Sequence, residues 1–169
     1  MVLVMPLTPY HFGPVSWLGL LFRRYLDLPT FIIASIIIDI EPFLVIVFRL
    51  NYPLHGICHT FLGAAFIGVV FAVVMYNLYP WLMKYIPFLK LSHPHPFKKI
   101  VMSSICGVVS HILLDSPLYP DILPFYPWQS NPFYHLVSSS TIYTFCTISF
   151  IIGFGIYLYL KLTNKSHNV

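Results

Sequence analysis

The stretch PTFIIASIIIDIEPFLVIVF, residues 29–48, decides the fold class because it is nearly uncharged and long enough to cross a membrane. An α-helix needs about 20 predominantly apolar residues to span the hydrocarbon core of a bilayer. Three further stretches have similar length and composition, at 54–79, 97–118 and 139–160. A shorter apolar stretch, 14–22, begins with a proline, which favours the first turn of a helix. We therefore predict an all-α, polytopic membrane bundle of about four transmembrane helices with a short N-terminal half-helix.

The overall composition supports a membrane protein. Hydrophobic residues make up 58% of the 169 residues and charged residues only 8%. Soluble domains carry about 25% charged residues, so this chain lacks the charge to cover a water-facing surface. The length suits one integral membrane domain over residues 1–169. The basic residues form no run of the kind that binds nucleic acid, and the three cysteines lie too far apart to indicate a disulfide framework.

The basic residues also predict an orientation. If the crossings alternate, one side of the membrane receives eight of the nine basic residues: Arg23, Arg24, Lys84, Lys90, Lys98, Lys99, Lys161 and Lys165. Arg49 alone falls on the other side. The positive-inside rule makes the first side cytoplasmic. We therefore expect a multi-pass protein of the cytoplasmic membrane with a cytoplasmic C-terminus.

Two loops are rich in proline. Residues 116–138, on the predicted outer side, hold five prolines and several aromatic residues. Proline restricts the backbone, so we predict a rigid outer cap that serves as a wall or lid for a substrate. The tract His93-Pro94-His95-Pro96, on the cytoplasmic side, is interpreted as a stiff loop rather than a metal site.

Ionisable residues inside the apolar segments are the functional candidates. Such groups cost about 2.5 kcal/mol or more at membrane depth, so they are rare without a function. Only five acids occur, and three of them, Asp39, Glu41 and Asp115, lie within apolar segments. A rise of about 1.5 Å per residue from the basic side puts six polar residues in the outer half of the membrane. They are His11, Asp39, His55, His59, His111 and Asp115.

The spacing of these six residues predicts a metal site. His55 and His59 are four residues apart, as are His111 and Asp115, and such pairs share a helix face. Imidazole nitrogen and carboxylate oxygen suit zinc and similar divalent ions, and a cation offsets the cost of buried carboxylates. We therefore predict that the six residues bind one or two divalent ions, with zinc as the first choice. Structural alternatives are a capping role for Asp115 at its helix end and an ion pair between Arg49 and Glu41.

Several motifs carry a resemblance to a known family. They are Thr8-Pro9-Tyr10-His11-Phe12-Gly13, Asp39-Ile40-Glu41-Pro42, Leu54-His55-Gly56-Ile57-Cys58-His59-Thr60 and Gly107-Val108-Val109-Ser110-His111-Ile112-Leu113-Leu114-Asp115. They resemble the early histidine and the D-x-D/E, H-R-G-x-T/S-H-S/T and S-H-x-x-x-D motifs of the YdjM-like family of predicted membrane-bound metal-dependent hydrolases. The resemblance runs from about residue 8 to residue 128.

The resemblance implies that His59, His111 and Asp115 are metal ligands and that Asp39 accompanies them. The sequence departs from the family pattern at one motif, where Leu54 and His55 stand in place of the family's first His and its Arg. The same residues are similar to part of the site in zinc-dependent phospholipase C enzymes, which implies phosphoester chemistry.

The leading hypothesis is a metal-dependent hydrolase acting on a membrane lipid or a lipid-linked phosphoester. In it a metal lowers the pKa of water, Asp39 or Glu41 accepts the proton, and His135 protonates the leaving group. One alternative is a metal or proton transporter component, which predicts polar residues leading to the cytoplasmic face. The other is a non-catalytic membrane subunit held together by its polar cluster, which predicts loss of the fold when the cluster is substituted.

Overall fold

A computed structural model describes residues 8–85 and 96–166 of the chain. The described residues form six α-helices and no strand: α1 Phe12–Leu21, α2 Leu28–Ile37, α3 Ile40–Val47, α4 Phe61–Tyr85, α5 Phe97–Asp115 and α6 Ser139–Ser166. Short 3-10 turns lie at Thr8–His11 and Ile57–His59. Four segments are long and apolar enough to cross a membrane: Leu28–Val47, Phe61–Tyr85, Phe97–Asp115 and Ser139–Thr163. The predicted all-α polytopic fold is confirmed.

Helix α1 is the predicted half-helix. Its ten residues extend only about 15 Å, which is half the hydrocarbon thickness. It packs against α6 and α2. The contact with α6 is close because Gly13 has no side chain, and a Cβ built there would lie 2.3 Å from the Cys146 carbonyl oxygen. This packing holds His11, the residue before α1, inside the bundle.

Helix α5 lies at the centre of the bundle, between α2 and α4. The buried core joins Ala34 and Ile38 of α2 to Val108 and Ile112 of α5, and aromatic and aliphatic residues of α4 complete it. At Gly107 the two backbones come so close that a Cβ would lie 2.7 Å from both the Phe31 carbonyl oxygen and the Ala34 Cβ. His111 follows one turn after Gly107 on the same face of α5.

The segment predicted as one helix at 29–48 is broken between α2 and α3. Pro42 has no N–H to donate to the carbonyl of residue 38, so the helical ladder is interrupted there. The Asp39 N–H instead donates to Ile36 and the Glu41 N–H to Ile38, at 3.1 and 3.0 Å, as in tighter turns. In a continuous helix residues 39 and 41 would lie about 200° apart around the axis. The break lets both carboxylates turn toward the bundle interior.

The prediction that His55 and His59 share a helix face is wrong. Helix α4 begins at Phe61, and His55 lies in the irregular segment that precedes it. Thr60 caps α4, since its Oγ1 accepts the Gly63 N–H at 2.9 Å. Gly56 has a non-helical backbone with φ −93° and ψ −138°, which ends the periodicity on which the prediction relied.

The proline-rich segment 116–138 closes the end of the bundle where α3 ends and α4 begins, which we call the loop end. The Phe61 N–H donates to the Pro124 carbonyl at 2.8 Å, and the Phe61 and Phe125 rings meet edge to face. Asn131 Nδ2 donates to the carbonyls of Ser116 and Tyr119 at 2.8 and 3.0 Å. The Phe61 contacts fix the segment against α4, and the Asn131 bonds hold the segment to itself. Residues 93–95 of the histidine-proline tract lie outside the described part of the chain.

The opposite end of the bundle is closed around Asp27, a buried acid. Its carboxylate caps α2 by accepting the Thr30 N–H at 3.0 Å, and it also accepts the Tyr79 hydroxyl. The Asp27 N–H donates to Ser103 Oγ at 2.6 Å. Through its side chain and its backbone N–H, this one residue therefore ties α2, α4 and α5 together.

Gly107→Ala should destabilise the protein by about 1–3 kcal/mol, because the added methyl group meets backbone that cannot move aside. Gly155→Ala is the matched control, since a Cβ at Gly155 meets nothing within 4 Å. Both substitutions raise helix propensity equally. The measurement is unfolding in mixed detergent micelles, and equal stability of the two variants would refute the close contact.

Candidate metal centre

Four of the predicted ligands meet at the loop end of the bundle. They are Asp39 at the α2–α3 break, His59 on its 3-10 turn, and His111 and Asp115 in the last turns of α5. One nitrogen or oxygen atom from each lies within 4.8 Å of the others. His59, His111 and Asp115 are buried, whereas the Asp39 side chain is 22% exposed. We call these four residues the cluster.

The orientation of His111 is set by α2. Its Nδ1 donates to the Ser35 carbonyl oxygen at 2.7 Å. A carbonyl only accepts hydrogen bonds, so Nδ1 carries the proton and Nε2 is left to face the cluster. Nε2 lies 3.3 Å from Asp39 Oδ1 and 3.3 Å from Asp115 Oδ2, and it is buried without a hydrogen bond among the described residues.

The orientation of His59 is set by Glu41. His59 Nδ1 lies 2.8 Å from Glu41 Oε2. Glu41 also accepts the N–H groups of Gly56 and Cys58, at 3.0 and 3.2 Å. These bonds shape the turn and direct His59 Nε2 inward, where it is buried without a hydrogen bond among the described residues. Glu41 therefore serves His59 and the turn rather than the alternative partner, Arg49.

The protonation states around His59 suit a metal ligand. Burial lowers the pKa of His59 below its usual value, although the hydrogen bond that His59 makes with Glu41 acts to raise this pKa. The imidazole is therefore neutral near pH 7, which is the form that binds metals. Burial and the charge of Glu41 raise the pKa of the neighbouring Cys58 thiol to about 12, so this cysteine is not a thiolate ligand.

The Asp115 carboxylate faces the cluster and is not used as a helix cap. The turn after α5 is closed by its backbone carbonyl, which accepts the N–H groups of Leu118 and Tyr119 at 2.8 and 3.1 Å. On its other side, Asp115 Oδ1 lies 3.3 Å from His11 Nε2. The His11 ring stacks on His111 with centroids 4.1 Å apart, so His11 adjoins the cluster without belonging to the four-residue group.

These donors fit a divalent cation. Two imidazoles present Nε2 atoms whose opposite nitrogens are fixed by Ser35 and Glu41, and two carboxylates supply negative charge. Such histidine-to-carbonyl and histidine-to-carboxylate bonds orient metal ligands in known sites. Nitrogen and oxygen donors of this kind suit zinc and related ions.

The structure places two other predicted residues outside the cluster. His55 Nδ1 lies 3.0 and 3.1 Å from the two Asp121 carboxylate oxygens, and its backbone N–H donates to Asp121 Oδ2 at 3.2 Å. His55 touches the cluster only through its ring, which meets His59 edge to face with centroids 4.7 Å apart. His135 is exposed, and its ring lies tilted against Tyr134 with centroids 4.0 Å apart.

Two residues at this end were missed in the sequence. Asp121 is the only acid in residues 116–138, and that isolation was the available signal for a specific partner. Tyr119 lies over the His55 ring, with centroids 4.3 Å apart. Burial and the charge of Asp115 raise the pKa of Tyr119, so it remains a neutral phenol. No sequence pattern pointed to Tyr119.

Comparison with known proteins identifies the family. The sequence model of the YdjM inner membrane proteins matches residues 5–168. The chain belongs to the YdjM family. The matched residues include the whole cluster, His11 and the segment 116–138. The match confirms the resemblance drawn from the motifs. No curated protein and no solved structure matches the chain. This YdjM chain is therefore a multi-pass membrane protein with a buried His/Asp cluster able to hold a metal.

The His55–Asp121 pair predicts a pH-dependent stability. Although burial opposes it, hydrogen bonding to His55 lowers the pKa of Asp121 below its usual value. A depressed folded-state pKa stabilises the protein above the unfolded value of about 3.9, and this is lost as the pH falls through the folded value. The stability difference between wild type and Asp121→Asn should therefore shrink between about pH 5 and about pH 3. Unfolding of both proteins in micelles measures it, and a constant difference would contradict the assignment.

Proposed function

We propose that this protein is a metal-dependent hydrolase whose ion is held by Asp39, His59, His111 and Asp115. The substrate class is a membrane lipid or lipid-linked phosphoester, and zinc is the first choice of ion. The observation that carries the proposal is the pair of buried Nε2 atoms, of His59 and His111, directed at two carboxylates.

The alternative of a purely structural cluster is weaker on electrostatic grounds. Buried polar groups that only hold a fold pair donors with acceptors. Here two Nε2 atoms, each buried without a hydrogen bond among the described residues, face two carboxylates in an apolar surrounding, an arrangement that a cation between them would stabilise. A divalent ion balances the two negative charges.

The residues divide the work. When bound, the ion lowers the pKa of water and polarises a phosphoryl oxygen. Asp39 is the most accessible member of the cluster and is the proposed acceptor of the proton from water. Glu41 is the proposed positioning residue for His59, because its oxygens are engaged by His59 and two backbone N–H groups. His135 has no part in this arrangement, since its exposed ring lies against Tyr134, outside the cluster.

The surroundings favour hydrolysis over transport. A transporter needs polar groups between the cluster and the Asp27 end of the bundle. The core there is apolar, and the hydroxyls of Ser103 and Ser104 are donated to the carbonyls of Lys99 and Gly68. The positive-inside prediction would put the cluster in the outer half of the membrane, where lipids are its neighbours. A lipid phosphoester therefore suits the site.

The purified protein should bind about one zinc per chain, and His111→Ala combined with Asp115→Ala should lose it. His135→Ala is the matched control, a histidine outside the cluster, and should keep the ion. Metal content is measured by mass spectrometry after excess zinc is removed.

Release of phosphate-containing product from lipid phosphoesters, followed by phosphorus NMR, should be lost in the double variant and kept in His135→Ala. Zinc-free wild type after zinc is supplied would eliminate the metal centre. Zinc binding without turnover of any phosphoester would eliminate the hydrolase.

Glu41→Gln should lower zinc affinity by about 10- to 100-fold, because the charged partner of His59 is lost while the hydrogen-bond acceptor remains. Asp121→Asn is the control, since it removes the equivalent charge beside His55, outside the cluster, and should leave the affinity nearly unchanged. Competition with a chromophoric chelator measures both. Equal loss in the two variants would mean that Glu41 has no special role.

A further inference from the structure

A pocket of about 200 Å³ opens beside the cluster. Two loops of the loop end form it. One side is lined by residues 52–53, 55–57 and 60, and the other by Asp121, Leu123 and Tyr126. We call it the loop pocket. The His55–Asp121 pair lies in it, and the His55 ring separates it from His59. The loop pocket is thus one ring away from the cluster but shares no ligand with it.

The polar lining of the loop pocket includes the Asp121 carboxylate, which is paired with His55. The Asp121 side chain is 38% exposed, and no lysine or arginine is among the described residues of the lining. The lowered pKa of Asp121 keeps its carboxylate ionised at neutral pH. A neutral or cationic group is therefore accepted here, and an anionic group is repelled.

The walls of the loop pocket are aromatic. Tyr52 and Tyr126 line it, each 45% exposed. The Tyr52 ring lies directly over Gly56, where a Cβ would be 2.1 Å from the ring. The Tyr52 hydroxyl accepts the Ile57 N–H at 3.0 Å, so this ring is held in place before any ligand arrives. The Tyr126 backbone N–H donates to the Leu123 carbonyl at 3.1 Å, which positions the loop that carries the second ring.

We propose that the loop pocket binds the cationic head group of an amphiphile, an amine or quaternary ammonium, with Asp121 as its counter-ion and Tyr52 and Tyr126 as its aromatic walls. Aromatic faces attract such cations, and quaternary ammonium groups are bound in this way in other proteins. The pocket is smaller than those that enclose drug-sized ligands, so it admits a head group and leaves the chain outside. Exposed Ile57 at the rim offers that chain an apolar surface.

The head group would belong to the substrate if the proposed hydrolase function holds, and to that extent the inference rests on it. Binding itself is measurable without turnover.

The test uses the full-length protein in neutral maltoside micelles, treated with a chelator so that bound metal plays no part. The probes are choline and its uncharged isostere 3,3-dimethylbutanol, followed by ligand-observed NMR with protein-free micelles as the blank. Choline should bind roughly five- to tenfold more tightly than the isostere. Asp121→Asn and Tyr126→Leu should each remove this preference. Tyr134→Leu, an exposed tyrosine of the same segment outside the loop pocket, should retain it.

Equal affinity of wild type for the two probes would overturn the inference, as would an unchanged preference in both pocket variants. Because two variants alter different walls, misfolding of one leaves the other decisive. If the protein prefers choline but binds no zinc, the proposed cationic subsite stands and the proposed hydrolase function is refuted. If the protein hydrolyses phosphoesters with zinc but shows no preference for choline, only the proposed cationic subsite is refuted.

Discussion

At Gly107 the backbone of α5 approaches α2 so closely that no side chain fits, and the cluster depends on this contact. One turn later His111 reaches the Ser35 carbonyl, and Asp39 lies four residues beyond Ser35, between α2 and α3. The same register brings Asp115 to the other side of His111 Nε2. Three cluster residues are thus positioned by one helix-helix contact, which requires the absence of a Cβ at a single residue.

The fourth cluster residue, His59, depends on the break between α2 and α3. Because of this break, the two neighbouring carboxylates reach different histidines: Asp39 lies beside His111 Nε2, and Glu41 contacts His59 Nδ1. A carboxylate that accepts two backbone N–H groups and an imidazole is satisfied even in an apolar surrounding. Glu41 therefore organises the turn before α4 and the cluster together.

The sequence predicted the four long apolar helices well, because apolar length is a local quantity. Asp39, His59, His111 and Asp115 were each predicted as ligands, and they do meet. The prediction that His55 and His59 share a helix face is wrong, because the backbone at Gly56 and Thr60 is not helical and α4 begins only at Phe61. The different partners of Asp39 and Glu41 depend on a helix break, which sequence spacing does not predict. The His55–Asp121 pair depends on a contact between two loops that are distant in the sequence, which spacing does not predict either.

The cluster and the loop pocket are built on different parts of the fold. Three cluster residues are held by the packed helices α2 and α5, whereas both walls of the loop pocket come from connecting segments joined by the His55–Asp121 pair. Loops tolerate replacement far better than packed helices do. Relatives of this protein could therefore diverge in the molecules they accept by exchanging residues around 52 and 126, with the helical core and its chemistry inherited intact.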